Sequence, residues 1–215
     1  MKKERRGTMK LVKCLAVALL IALPVTGGAN AINTANARRH ANTAAAASKA
    51  GDWATARTEW AQALVNAQLA GASSQHLAVF NYEYGRALGV QCFWDQSETY
   101  LLKAYELDRQ AGGPEHMSLV ELSRMKFNQK QYDRSAQYYR RAIEALEQIN
   151  ASAKAPAEFS VILDEYAEAL RRCGKDQDAD LVQARANEIR SRDPGGRSIT
   201  DRTPYGTQCV TKDSK

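Results

Sequence analysis

The chain has 215 residues, 44% of them hydrophobic, with 30 Lys/Arg, 24 Asp/Glu, a net charge of +6 and a pI near 9.2. That length has room for one compact domain or one short array of repeats. Six of the basic residues and one of the acidic ones fall in residues 1–31, leaving 24 and 23 downstream, so the basic footprint that a nucleic-acid binder would keep is absent apart from short patches at 37–40, 140–141 and 171–172.

The first predicted element is a leader. "MKKERRGTMKLVK" is basic, "CLAVALLIALP" is an apolar run of 11 residues, and "VTGGANA" ends in Ala29-Asn30-Ala31. A positive start, a short apolar core and an A-x-A end predict a cleaved secretory signal peptide over residues 1–31. The mature chain would begin at Ile32, or after the second A-x-A that ends at Ala37. The apolar run is too short to span a bilayer comfortably. A periplasmic or secreted protein with no membrane span after cleavage is expected. "LPVTG" matches a sortase signal, but such signals lie near a C-terminus. "LVKC" is a poor lipoprotein box, because the apolar run follows Cys14 instead of preceding it.

Four segments then align: "GDWATARTEWAQAL" (51–64), "CFWDQSETYLLKAY" (92–105), "KQYDRSAQYYRRAI" (130–143) and "GKDQDADLVQARAN" (174–187). The third position holds Trp53, Trp94, Tyr132 and Asp176, and three residues on stand Ala56, Ser97, Ser135 and Ala179. Four further come Trp60, Leu101, Tyr139 and Gln183, then, after three more, Ala63, Ala104, Ala142 and Ala186. Spacings of 3, 4 and 3 follow one helical face. A second helical segment precedes each copy, with a small residue nine positions before the third: Ala44, Gly85, Ser123 and Ala167. The unit is a helical hairpin: helix A, tight turn, helix B.

A small residue in helix A, an aromatic after the turn and alanines in helix B make this chain resemble the tetratricopeptide repeat (TPR) family over roughly residues 37–190, as an exported bacterial member with repeats of about 40 residues. The third positions lie 41, 38 and 44 residues apart, beyond the usual 34, which predicts longer helices, as in kinesin-light-chain-like arrays. "NASAKAP" (150–156) is expected as a loop before the fourth helix A. The resemblance implies an all-α, right-handed superhelical solenoid of about four hairpins over residues 32–192. An irregular tail, rich in Gly, Pro, Ser and Thr, is expected over 193–215.

Beyond the leader three cysteines remain: Cys92, Cys173 and Cys209. In this register Cys92 and Cys173 sit at A/B turns two repeats apart, too far to pair at roughly 10 Å per packed helix layer. The tail can fold back along the last helix, about 22 Å at 1.5 Å per residue. A Cys173–Cys209 disulfide with Cys92 free is therefore expected. Ile199, Tyr205 and Val210 would cover Leu181, Val182 and Ile189 of the last helix.

No G-x-S-x-G, H-E-x-x-H or phosphate loop occurs, and His40, His76 and His116 lack metal-ligand spacing. No enzyme activity, cofactor or metal is expected. Asp164 and Glu168, at i and i+4, share a helix face. In the resembled family helix A lines a concave groove. Carried over, this implies partner contacts from Tyr82, Arg86, Arg124, Phe127, Asn128, Glu168, Arg171 and Arg172, although Tyr82 and Phe127 equally suit packing between repeats. Tyr82 and Glu121 stand where the chaperone-tail-binding members carry a Lys/Asn clamp, so that specificity is not expected. The expected function is an exported scaffold or adaptor for a protein or peptide partner in the cell envelope, with no nucleic acid. The alternative is a cell-wall-associated enzyme or its glycan-binding accessory subunit, marked by a polar groove around a perturbed carboxylate.

Overall fold

The computed structural model describes residues 29–193, 195–196, 198 and 202–210, and most of the predicted leader lies outside them. The described residues hold nine helices and no strand: α1 (Ala29–Ala50), α2 (Trp53–Leu69), α3 (Ser74–Val90), α4 (Trp94–Ala111), α5 (Glu115–Asn128), α6 (Tyr132–Gln148), α7 (Ala151–Lys154), α8 (Pro156–Arg172) and α9 (Asp176–Ser191). Helices pair as the hairpins α1/α2, α3/α4, α5/α6 and α8/α9, and each hairpin stacks on the next. The result is an all-α solenoid of four TPR-like hairpins. None of the described helices is long and apolar enough to cross a membrane.

The repeat register is a packing register. Trp53, Trp94, Tyr132 and Asp176 each open a helix B. Ala63, Ala104, Ala142 and Ala186 are all at 0% exposure, as are Ala56, Ser97, Ser135 and Ala179. Across the hairpin, Ala44, Ser123 and Ala167 are also fully buried. A Cβ on Gly85 would sit 2.9 Å from Leu101 Cγ, so the helices of repeat two approach closer than any side chain allows. The two serines of helix B turn this closeness into bonds: Ser97 Oγ donates to the Gly85 carbonyl at 2.7 Å, and Ser135 Oγ donates to Ser123 at 2.9 Å.

The four A/B turns share one backbone solution. A left-handed residue stands two positions before each helix B: Gly51, Cys92, Lys130 and Gly174. Its N–H and the next close a pair of bonds onto the end of helix A, as Cys92 N to Gly89 O and Phe93 N to Leu88 O do. These are Schellman caps, where glycine is favoured because a Cβ is strained at positive φ. Cys92, at φ 67°, takes that strained place in repeat two.

Two expectations need correction. Residues 150–156 are not an open loop: Asn150 turns left-handed, α7 forms one short turn, and Pro156 opens α8, where its missing N–H costs nothing. The tail does not cover the last helix either. Leu181 is 72% exposed and Val210 48%, while Ile189 is buried within its own hairpin. Ile199 lies outside the described residues.

Candidate functional site

Helices α3, α5 and α8 are the A helices of repeats two to four, and α3 also touches α5 directly. Their facing side chains form a ladder of alternating charge. Arg86 binds Glu83 at 2.9 Å and lies 3.8 Å from Glu121. Arg124 binds Glu121 at 2.8 Å and Glu165 at 2.9 Å. Glu165 also accepts from the Tyr139 hydroxyl at 2.8 Å. Tyr82 stacks beside Arg86, whose guanidinium lies 5.6 Å from the ring centre.

The tail lies across this ladder. Arg202 pairs with Glu165 at 2.6 Å. The Thr203 hydroxyl donates to Glu121 Oε2 at 2.5 Å and accepts from Arg86 Nε at 2.7 Å. The Tyr205 hydroxyl donates to the same Glu121 oxygen at 2.9 Å. Its ring enters a slot that exists because residue 89 is glycine: a Cβ there would lie 2.4 Å from Tyr205 Cε1. Around the ring are Leu101, Leu122 and Met125. Gly206, at φ +74°, sits against Trp94. Backbone bonds then run from Gly206, Gln208 and Val210 to the carbonyls of Gly89, Val90 and Gln91, at the C-terminal end of α3.

That path decides the disulfide. Cys209 bonds to Cys92, with alpha carbons 4.9 Å apart, and Cys173 is free. The expected Cys173–Cys209 pairing is thus wrong. It assumed that the tail returns along α9 to shield apolar residues. The tail instead crosses α8, α5 and α3, because its hydroxyls satisfy the buried Glu121 carboxylate and its tyrosine fills the Gly89 slot. Both are worth more than covering Leu181, since a buried charge without partners is costly.

Electrostatics agree with the geometry. Burial pushes the Glu121 carboxyl up, but Arg124, Arg86 and the hydroxyls of Thr203 and Tyr205 outweigh it and hold it below the usual carboxylate range. Burial, and then Glu121, push the Tyr205 and Tyr82 phenols far up, so both keep their protons. Arg86 and Arg124 lose solvation, yet their carboxylate neighbours keep them charged.

Of the eight predicted groove residues, the structure brings together three: Tyr82, Arg86 and Arg124. Phe127 packs edge-on against Tyr132, with ring centres 5.2 Å apart. Asn128 is exposed and donates to the Arg124 carbonyl. Glu168 and Arg172 pair with each other, and Arg171 reaches Asp180 on α9. Asp164 pairs with Arg190 and accepts from Gln183, so it and Glu168 serve separate cations or donors. The residues that sequence reading missed are Glu83, Glu165, Arg202, Thr203 and the site roles of Glu121 and Tyr205. One signal was available: Gly89, four residues after Gly85 in the same helix, is unexplained by the repeat register.

A second concavity, of about 410 Å³, lies at the α4/α5 turn and is lined in part by Asp108, Glu115 and His116. Burial, reinforced by Glu115, pushes the Asp108 carboxyl up to about 6, and burial lowers His116 to about 4. Asp108 is wedged against Gly113, where a Cβ would lie 2.4 Å from its Oδ1, so it packs as part of the turn. Among the described residues no group of three or more His, Cys, Asp or Glu is placed to hold a metal.

Two solved structures share the fold. BtubC (BKLC) from P. vanneervenii superposes with a TM-score of 0.69 at 16% identity, over 86% of this chain and 73% of that one. A Podosopora anserina kinesin light chain with nearly identical TPR-like repeats gives 0.61 at 15% identity, over 76% of this chain and 78% of that one. No protein-family model and no curated protein matches the chain. The chain is a TPR-like repeat protein in its fold.

Proposed function

We propose that this protein is an exported adaptor whose concave groove holds a peptide segment of a protein partner in the cell envelope. One observation carries the reading. The groove already accommodates an irregular, turned peptide, residues 202–210, through side-chain subsites and through bonds to the carbonyls at the end of α3. A surface that pairs both the side chains and the backbone of a peptide segment is equipped for peptide recognition. Export is supported by the leader pattern and by the Cys92–Cys209 disulfide, since such bonds persist in oxidising compartments.

The enzymatic alternative asked for a perturbed carboxylate in a polar groove. Glu121 is perturbed, but downward and between two arginines, which suits a fixed anion and not a proton donor. The test is crosslinking. Full-length protein carrying a photo-crosslinker in place of Tyr82 is irradiated in envelope extract, and the adducts are sequenced. Adducts mapping to one segment of a single partner are expected. Adducts only to the protein's own tail, in both oxidised and dithiol-treated samples, would remove the adaptor reading.

A further inference from the structure

We infer that residues 202–210 are an in-cis occupant of the partner groove, latched there by Cys92–Cys209, and that the partner segment they stand in for carries a cation, a hydroxyl residue beside it and a tyrosine two positions later. This rests on the adaptor reading above.

The subsites define that chemistry. Over the ladder Glu83, Arg86, Glu121, Arg124 and Glu165, three carboxylates face two guanidiniums, and Arg202 supplies the third cation. Glu165 takes Arg202 at 2.6 Å beside Arg124, so a cation is selected there. Glu121 Oε2 takes two hydroxyl donors, from Thr203 and Tyr205, which selects a hydroxyl and a tyrosine spaced by one residue. The Gly89 slot admits a flat ring and rejects a branched side chain. The position after the tyrosine turns left-handed under Trp94, which selects glycine. A phosphate on that tyrosine would meet the Glu121 carboxylate and be rejected.

The hairpin register is set without the tail. Gly85 and Leu101 meet within repeat two through the repeat register, and the A/B turns close through their own backbone. The tail lies across that packing, with Thr203 and the Tyr205 ring buried against it and residues 207–210 exposed. Tethering holds it at a high effective concentration, and the disulfide pins its far end as well, so a free segment of equal affinity cannot displace it. A dithiol opens the latch. Cys209 is exposed and Cys92 partly so. A thiolate of the dithiol attacks one staple sulfur, forming a mixed disulfide and expelling the other cysteine as thiolate. The second thiol of the reagent then closes its own disulfide and releases the remaining cysteine. Two electrons pass from the dithiol to the staple, leaving two protein thiols.

The experiment uses full-length protein and a fluorescent peptide, Arg-Thr-Pro-Tyr-Gly-Thr-Gln, read by anisotropy, with circular dichroism as a check on helicity. Three samples are compared: the oxidised protein, the dithiothreitol-treated protein, and a Tyr205→Ala/Cys209→Ser variant whose own tail is weakened and unlatched. Binding is expected to be weakest for the oxidised protein. It should rise on reduction and be strongest in the double variant, about a hundredfold above the oxidised form. It should fall with phenylalanine for tyrosine in the peptide and vanish with phosphotyrosine. Equal binding by oxidised and unlatched protein, or none by either unlatched sample with helicity intact, overturns the inference. If the peptide fails while the oxidised protein still captures an envelope partner at Tyr82, the latch falls and the adaptor reading stands. If the peptide binds as expected but no form captures a partner, the tail–groove chemistry stands and the adaptor reading falls.

Discussion

The Tyr205 hydroxyl donates to Glu121 Oε2 at 2.9 Å, joining a tail residue to a helix residue 84 positions earlier. Glu121 is 2% exposed, so its charge depends on the two arginines and two hydroxyls that surround it. This contact binds the tail to the groove and brings Cys209 to Cys92. Tyr205→Phe keeps the ring and removes the donor. Its loss from a charged acceptor is expected to cost about 1.5–3 kcal/mol in denaturant unfolding of the oxidised protein. An unchanged midpoint would mean that the hydroxyl makes no such bond.

Gly89→Ala tests the slot. In an isolated helix the change is favourable by about 1 kcal/mol. Here the new methyl would meet the Tyr205 ring and Ser97 Oγ at 2.4 and 2.8 Å. The tail should be displaced, and limited proteolysis should cut residues 193–210 faster than in the wild type while helicity is kept. Equal cleavage rates would place the ring elsewhere.

Two arginines named as partner contacts should behave oppositely. The Arg124 side chain is 8% exposed between Glu121 and Glu165, so Arg124→Ala leaves buried carboxylates unpaired and should cost about 3–5 kcal/mol. The Arg171 and Asp180 side chains are 37% and 76% exposed, so Arg171→Ala should cost less than about 1 kcal/mol. Thermal melts of the two variants decide the matter, and equal losses would contradict the ladder.

His116 gives a pH signature. Burial lowers it from an ordinary 6.5 to about 4, so the unfolded chain takes up its proton first. Its contribution is therefore complete above pH 6.5 and is lost as pH falls from 6.5 towards 4. The ring protons should titrate near 4 by NMR, and His116→Gln should flatten stability over that range. A midpoint near 6.5 would show the ring to be solvated.

Export is checked by N-terminal sequencing of the protein recovered from the producing cell's envelope or medium. A start at Ile32, or at Arg38 after the second A-x-A, is expected. An intact Met1 or Met9 would refute the signal peptide.

The hairpins were legible because their cause is local and periodic. Small residues recur where helices A and B touch, and each copy restates the rule, so Ala104, Ala142 and Ala186 could be placed as buried from spacing alone. Groove membership was legible only in part. Tyr82, Arg86 and Arg124 follow from helix A's inward face. Phe127, Asn128, Arg171 and Arg172 lie towards the helix end, where they are drawn to Tyr132, the α5 backbone, Asp180 and Glu168. The tail's route and the Cys92–Cys209 pairing belong to the tertiary structure alone. Residues 202–210 have no period and little helix or strand preference. Their place was set by a carboxylate on α5, a missing Cβ on α3 and a cation site on α8, three features far apart in sequence that become one site only after the solenoid has stacked them.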